Sequence, residues 1–275
     1  SRRFFASGGL ADELNASGVN VLPALPVRLP RVLLRRIDVR NHRKLVVIDG
    51  KVGYTGSQNI VDPNYGHSRG GSWHELMGRF TGPIVGSLQQ VFVEDWACES
   101  DEELVGDEWF PMLKSTGDVT AQVVAHAPPD EETLVVPQVI VVAIASARQK
   151  LLITTPYLVP DEPTLTALVS AATRGVEVDI VVPAKSDHPV VGAAGRFYFE
   201  PLLDAGVRIH LHREGLLHAK TITVDDAFAL LGSTNLDIRS FQINFELNVL
   251  MYGPRIAADL RAVQARYLRE SDPLD

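Results

Sequence analysis

The sequence predicts an α/β protein of two related halves, and three observations carry that prediction. First, His42, Lys44, Asp49, Gly56, Ser57 and Asn59 recur as His218, Lys220, Asp225, Gly232, Ser233 and Asn235 at a constant offset of 176 residues. Fixed register at six polar or glycine positions is the mark of an internal duplication. Second, the later part of the chain alternates β-rich runs with amphipathic stretches. Third, 275 residues with 45% hydrophobic and 22% charged side chains suit two ordinary globular units, each large enough for its own core.

Taken in order, a small-Gly-Val element at Ser17-Gly18-Val19 recurs as Ala205-Gly206-Val207, 24 residues before the first histidine but 12 before the second. The first half therefore holds a 12-residue insertion, with Pro23, Pro26 and Pro30 among Arg28, Arg31, Arg35 and Arg36, read as a solvated proline-broken loop. Acidic residues from Glu99 to Asp107 and the Pro-Pro-Asp-Glu-Glu run at 128–132 mark a linker. The division falls at residues 1–125 and 126–275. Lys150–Thr155 and Val176–Val182 read as strands around a helix from Pro160 to Arg174, which Gly175 stops. Pro201–Ala205 closes a short helix before a strand at Val207–Leu211, and Pro254–Tyr267 has core-facing apolar residues at helical spacing. Residue 1 aligns near residue 189, so an opening strand–helix–strand unit has no counterpart, and the first half is expected to be truncated at its N-terminus.

Net charge −8 speaks against a nucleic-acid partner, since phosphate-backbone binders usually carry a basic surplus. The single cysteine, Cys98, excludes an internal disulfide and a cysteine-based metal site. The strongest apolar run, Val139–Ala147, is half of what a bilayer span needs, so membrane contact made by these residues is expected to be peripheral.

The repeated residues suit one chemistry. In an extended strand His218 and Lys220 project from one face, as do His42 and Lys44. Covalent cleavage of a phosphodiester needs a nucleophile, a proton donor for the leaving alkoxide and positive charge on the non-bridging oxygens. Two histidines, two lysines and the donors Ser57, Asn59, Ser233 and Asn235 supply these without a metal or cofactor. The glycine before each serine is expected to let backbone approach the anion. An imidazole in this role wants a carboxylate on its other nitrogen. Glu246 follows His218 by 28 residues, and Glu75 is the nearest candidate after His42. Asp49 and Asp225 either join the catalytic set or pin a strand end. The other histidines, including His126, His188, His210 and His212, lack metal-ligand spacing; His67 and His74 fall near the expected site.

The pattern His-x-Lys-(x)4-Asp with Gly-Ser-x-Asn resembles the phospholipase D superfamily. Asn41–Gly50, Tyr54–Asn59, Val61-Asp62-Pro63, Gly82-Pro83, Thr155-Pro156-Tyr157, Gly232–Asp237, Arg239-Ser240 and Asn244-Phe245-Glu246 are similar to bacterial cardiolipin synthases. That resemblance implies two α/β/α sandwich domains related by a pseudo-twofold axis, with one active site between them. It implies phosphatidyl transfer between two phosphatidylglycerols, giving cardiolipin and glycerol, with hydrolytic phospholipase D activity as the alternative. By the same resemblance His42 is the nucleophile, His218 the acid and base, and Lys44, Lys220, Asn59 and Asn235 the phosphate holders. It further implies phospholipid partners and a bacterial membrane surface, with anchor helices ahead of the first domain.

Overall fold

The computed structural model describes residues 4–26, 38–61, 72–100, 102–115, 117–128 and 135–274. The arginines of the insertion, most of the loop between Tyr65 and Ser72 with His67, the Asp62-Pro63 pair and most of the acidic run at 128–132 lie outside them.

The chain opens with helix α1 (Leu10–Ala16), then strands β1 (Arg40–Asn41), β2 (Leu45–Ile48), β3 (Val52–Gly56), β4 (Trp73–His74) and β5 (Met77–Thr81), then helix α2 (Ile84–Ala97). Strand β6 (Thr120–His126) leads to α3 (Val135–Ser146), β7 (Lys150–Thr154), β8 (Leu158–Val159), α4 (Glu162–Thr173), β9 (Glu177–Pro183), α5 (Pro189–Arg196) and α6 (Phe199–Asp204). The remainder is β10 (Arg208–His212), β11 (Leu216–Leu217), β12 (Thr221–Val224), β13 (Phe228–Gly232), β14 (Leu236–Asp237), α7 (Ile238–Gln242), β15 (Asn244–Tyr252), α8 (Pro254–Arg269) and β16 (Ser271–Pro273).

One large mixed sheet has the order β1-β15-β13-β12-β7-β9-β10-β16, with β6 also on β15. Its strands alternate between two apolar layers, as a pleat requires. Leu151, Ile153, Ile180 and Val182 face the core under α3 and α4, where Ile140, Ile144 and Leu168 are buried. Leu152 and Val181 face the opposite side with Tyr267 of α8. Ala229, Leu231, Val249 and Met251 meet Leu88 and Val91 of α2 and Leu260 of α8 on that same side. The result is the expected α/β/α sandwich. Each fully buried aliphatic side chain in these layers contributes ~1.5–3 kcal/mol, so the two layers hold the sheet rigidly beneath the loops that carry the chemistry.

The strand–helix–strand expected around Gly175 is present as β7, α4 and β9. Asp161 caps α4 by accepting the Thr164 N–H at 3.1 Å, and Gly175 takes the positive φ of 87° that ends it. The apolar run beginning at Val139 lies inside α3 as a core helix. No helix among the described residues is long and apolar enough to cross a membrane.

The first half contributes a separate three-stranded sheet, β2-β3-β5. It joins the second half through shared packing, Phe80 lying with Leu231 and Leu247. Strand β6 pairs along the length of β15, from Glu246↔His126 to Tyr252↔Thr120, so it sits in the second half's sheet.

Candidate active site

Two short parallel strand pairs set the site. β1 pairs with the start of β15 (Arg40↔Asn244, Asn41↔Phe245), and the His42 N–H donates to the Phe245 carbonyl at 2.9 Å. β11 pairs with β4 in the same manner (Leu216↔Trp73, Leu217↔His74), and the His218 N–H donates to the His74 carbonyl at 2.9 Å. Each pair zips the strand entering one histidine to the strand entering the other half's glutamate.

The carboxylates are consequently exchanged. Nδ1 of His42 lies 2.9 and 3.1 Å from the two oxygens of Glu246. Nδ1 of His218 lies 2.9 Å from both oxygens of Glu75. The reading that put each glutamate with the histidine preceding it in its own half is corrected. Nearness along the chain selected the wrong partner, because the parallel pairs cross between the halves.

The serines hold the glutamates. Ser57 Oγ donates to Glu75 Oε2 at 2.5 Å and accepts the Leu76 N–H at 2.8 Å. Ser233 Oγ bonds Glu246 Oε2 and accepts the Leu247 N–H at 2.9 Å. Both serines are fully buried, and these bonds give them a positioning task in place of the expected contact with phosphate. The glycine before each serine has a different reason too. A Cβ at Gly56 would lie 2.2 Å from the Leu76 carbonyl, and one at Gly232 would lie 2.5 Å from that of Leu247. Close approach of the neighbouring strand, not of an anion, excludes a side chain there.

His42, His218, Asn59 and Asn235 line one cleft of about 760 Å³, together with Arg40, Trp73, Tyr157, Asp187, His188, Asp237 and Arg239. The two halves thus bring both imidazoles to a shared space. The His42 side chain is 26% exposed and that of His218 5%; Trp73 covers the latter, its ring centroid 4.6 Å away. Asn235 lines the cleft, and its Oδ1 is buried without a hydrogen-bond partner.

Lys44 and Lys220 lie beneath the cleft, and each Nζ donates to the carbonyl of its own histidine at 2.6 Å. Each ammonium keeps two further donors. Burial lowers the Lys44 pKa to about 8, against the pull of Glu246 and Glu75. Burial likewise drives Lys220 well below the usual lysine range, opposed by Glu75. Burial raises Glu75, offset by the Ser57 hydrogen bond and by Lys220, Lys44 and His42. His218 is lowered, first by burial and then by Lys220, Lys44 and His42. The contact of Nδ1 with the Glu75 carboxylate leaves Nε2 as the ring nitrogen on the other side.

Asp49 and Asp225 do not line the cleft. Each ends the strand that follows its lysine, a four-residue strand spanning roughly 13 Å. Both adopt positive φ, 53° and 47°, in the turn to the next strand. Asp225 accepts the backbone N–H groups of Arg148, Gln149 and Lys150 at 2.7–2.9 Å. Of the two readings open for these aspartates, the geometry supports the turn.

Sequence reasoning missed Trp73, Tyr157 and Asp187 as cleft residues. Tyr157 donates to Asp187 at 2.7 Å across 30 residues of chain, a juxtaposition with no short-range signal. It also missed Arg43, whose guanidinium bonds Asp95 at 2.5 Å and the carbonyls of Glu246 and His126. That residue stood in view inside the first His-x-Lys and ties the halves together.

Residues 140–267 match the family described as cardiolipin synthase, PLD-like domain. The chain is 41% identical over 268 residues to cardiolipin synthase A of Edwardsiella ictaluri, covering 95% of this chain and 55% of that protein. It is 40% identical over 281 residues to cardiolipin synthase A of Serratia proteamaculans, covering 100% and 57%. The chain spans just over half the length of these relatives. The crystal structure of phosphatidylserine synthase from Haemophilus influenzae superposes with a TM-score of 0.66 at 19% identity, over 87% of this chain and 64% of that one, a likeness of fold alone. Residues 140–267 thus match a phospholipase D-like domain of cardiolipin synthases, and the chain is similar to cardiolipin synthase A along its whole length.

Proposed function

We propose that the protein is a phosphatidyltransferase that joins two phosphatidylglycerols through a phosphohistidine. The observation that carries this is the single cleft lined by His42 and His218, each with its Nδ1 fixed by a carboxylate so that Nε2 is presented. The similarity to cardiolipin synthase A supports the choice of substrate.

His42 Nε2 attacks phosphorus, and the bond from phosphorus to the glycerol headgroup oxygen breaks. His218 gives that oxygen its proton. His218 then takes the proton of a hydroxyl on a second phosphatidylglycerol, whose oxygen attacks phosphorus, releases His42 and completes cardiolipin. A bound phosphodiester anion opposes the burial and the lysine field that lower His218, so that His218 takes up from solvent the proton it delivers to the leaving oxygen. Val190, 82% exposed, lines the cleft on α5, and Phe197, 80% exposed, caps the end of that helix. They form an apolar lip suited to peripheral contact with a membrane surface.

A second assignment of roles has one observation in its favour: the lowered basicity of His218 suits a nucleophile held neutral. Incubation with phosphatidylglycerol vesicles and quenching in alkali distinguishes the two. A phospho-enzyme that disappears in His42→Ala and persists in His218→Ala supports His42, and the reverse exchanges the roles. Formation of cardiolipin with equimolar glycerol supports transfer. Phosphatidic acid as the product, unaffected by excess acceptor lipid, indicates hydrolysis instead.

A further inference from the structure

Behind the His218–Glu75 pair lies a second cluster that this chemistry does not use. His74, His212 and Glu270 each offer a ligand atom, all within 4.8 Å of one another. His212 is completely buried at the end of β10, and neither ring nitrogen has a partner in full hydrogen-bond geometry, a weaker contact with the Tyr267 backbone aside. Its Nε2 lies 4.0 Å from Glu270 Oε2, and its ring meets that of His74 edge-on with centroids 5.0 Å apart. Glu270 caps the C-terminus of α8, the end of a helix that favours a cation.

We propose that His74, His212 and Glu270 bind a divalent transition-metal ion of the zinc type. Two imidazoles and a carboxylate form the ligand set such ions take, with bonds of roughly 2.0–2.2 Å and a fourth position left to water. Tetrahedral bonds of that length place ligand atoms roughly 3.3 Å apart, so the three atoms, within 4.8 Å of one another here, would draw together on binding. The ion would join the two halves, because His74 lies on β4 and the other two ligands lie in the second half. It would also brace the proton-transfer histidine: the His74 carbonyl accepts the N–H groups of His218 and Ala219 at 2.9 and 3.1 Å, and Glu75 is the next residue. This inference does not depend on the substrate.

The test is metal binding by the full, untagged chain, read by metal content after dialysis, by calorimetric titration with zinc and by the visible absorption of added Co²⁺. One tightly held equivalent, a zinc-dependent rise in Tm and the intense bands of tetrahedral Co²⁺ are expected. Glu270→Gln should weaken zinc binding by about tenfold or more, since even outer-shell partners of a metal matter on that scale; His212→Ala should abolish it. If His212→Ala does not fold, Glu270→Gln decides, because that side chain is 37% exposed and changes shape little. Absence of a stoichiometric equivalent, or zinc affinity and Tm response in Glu270→Gln equal to those of the parent, overturns the site and leaves an aromatic packing cluster.

Discussion

Replacing Glu246 with glutamine should disable His42 and leave His218 almost untouched, although Glu246 lies in the half of His218. Glu246 is fully buried and accepts from His42 Nδ1, Ser233 Oγ and, at 3.3 Å, Asn244 Nδ2. A glutamine keeps one acceptor oxygen and puts an NH₂ in the place of the other. With the oxygen on Ser233, the amide donates to His42 Nδ1. The ring proton moves to Nε2, and the lone pair needed for attack is lost. Loss of the correct tautomer in such a pair costs about 10²- to 10⁴-fold in rate, or roughly 3–5 kcal/mol of barrier. Nitrogen-15 spectra of labelled histidines read the tautomers directly. Glu246→Gln should move the His42 pattern and Glu75→Gln the His218 pattern. Glu246→Gln shifting His218 while sparing His42 would refute the crossed arrangement and restore pairing within each half.

Three further outcomes follow from the same geometry. The free-enzyme profile of kcat/KM should fall as pH rises through about 8, where Lys44 loses its proton. The fall in kcat should come at higher pH, because a bound phosphate anion favours the charged amine. For stability the sign is opposite: a lysine with lowered folded pKa opposes folding below about 8, and the opposition fades as pH climbs toward the ordinary value of 10.5. Asp225→Ala removes the acceptor of three backbone N–H groups. It should lower unfolding free energy by about 2 kcal/mol while the surviving folded protein keeps its kcat; a large loss of kcat at full stability would return Asp225 to the catalytic set.

Much of the fold was legible because its signals are local. The alternation of elements around Gly175 specifies β7, α4 and β9 through short apolar runs buried on both faces and a glycine stop. The duplicated polar set named the histidines and asparagines that meet in the cleft and the lysines beneath it, since His, Lys and Asn recur at one offset. What the sequence hid was who touches whom across the halves. The exchange of Glu75 and Glu246 depends on β1 with β15 and β4 with β11, two-residue pairings too short to leave a periodicity. Ser57 and Ser233 were read as phosphate ligands because a hydroxyl suits an anion as well as a carboxylate partner. The glycines before them carry no sign of whether backbone or ligand comes close. Asp49 and Asp225 look catalytic on spacing alone, yet a strand placed between lysine and aspartate carries the carboxylate away.

The account rests on His42 and His218 addressing one phosphorus atom, and a crystal soaked with orthovanadate tests that most directly. A single vanadate per chain is predicted, with Nε2 of His42 bonded to vanadium, Nε2 of His218 hydrogen-bonded to an oxygen on the opposite side, and Lys44, Lys220, Asn59 and Asn235 around the equatorial oxygens. Vanadate held by one histidine with the other out of reach, or two separate anions each on its own imidazole, would contradict it.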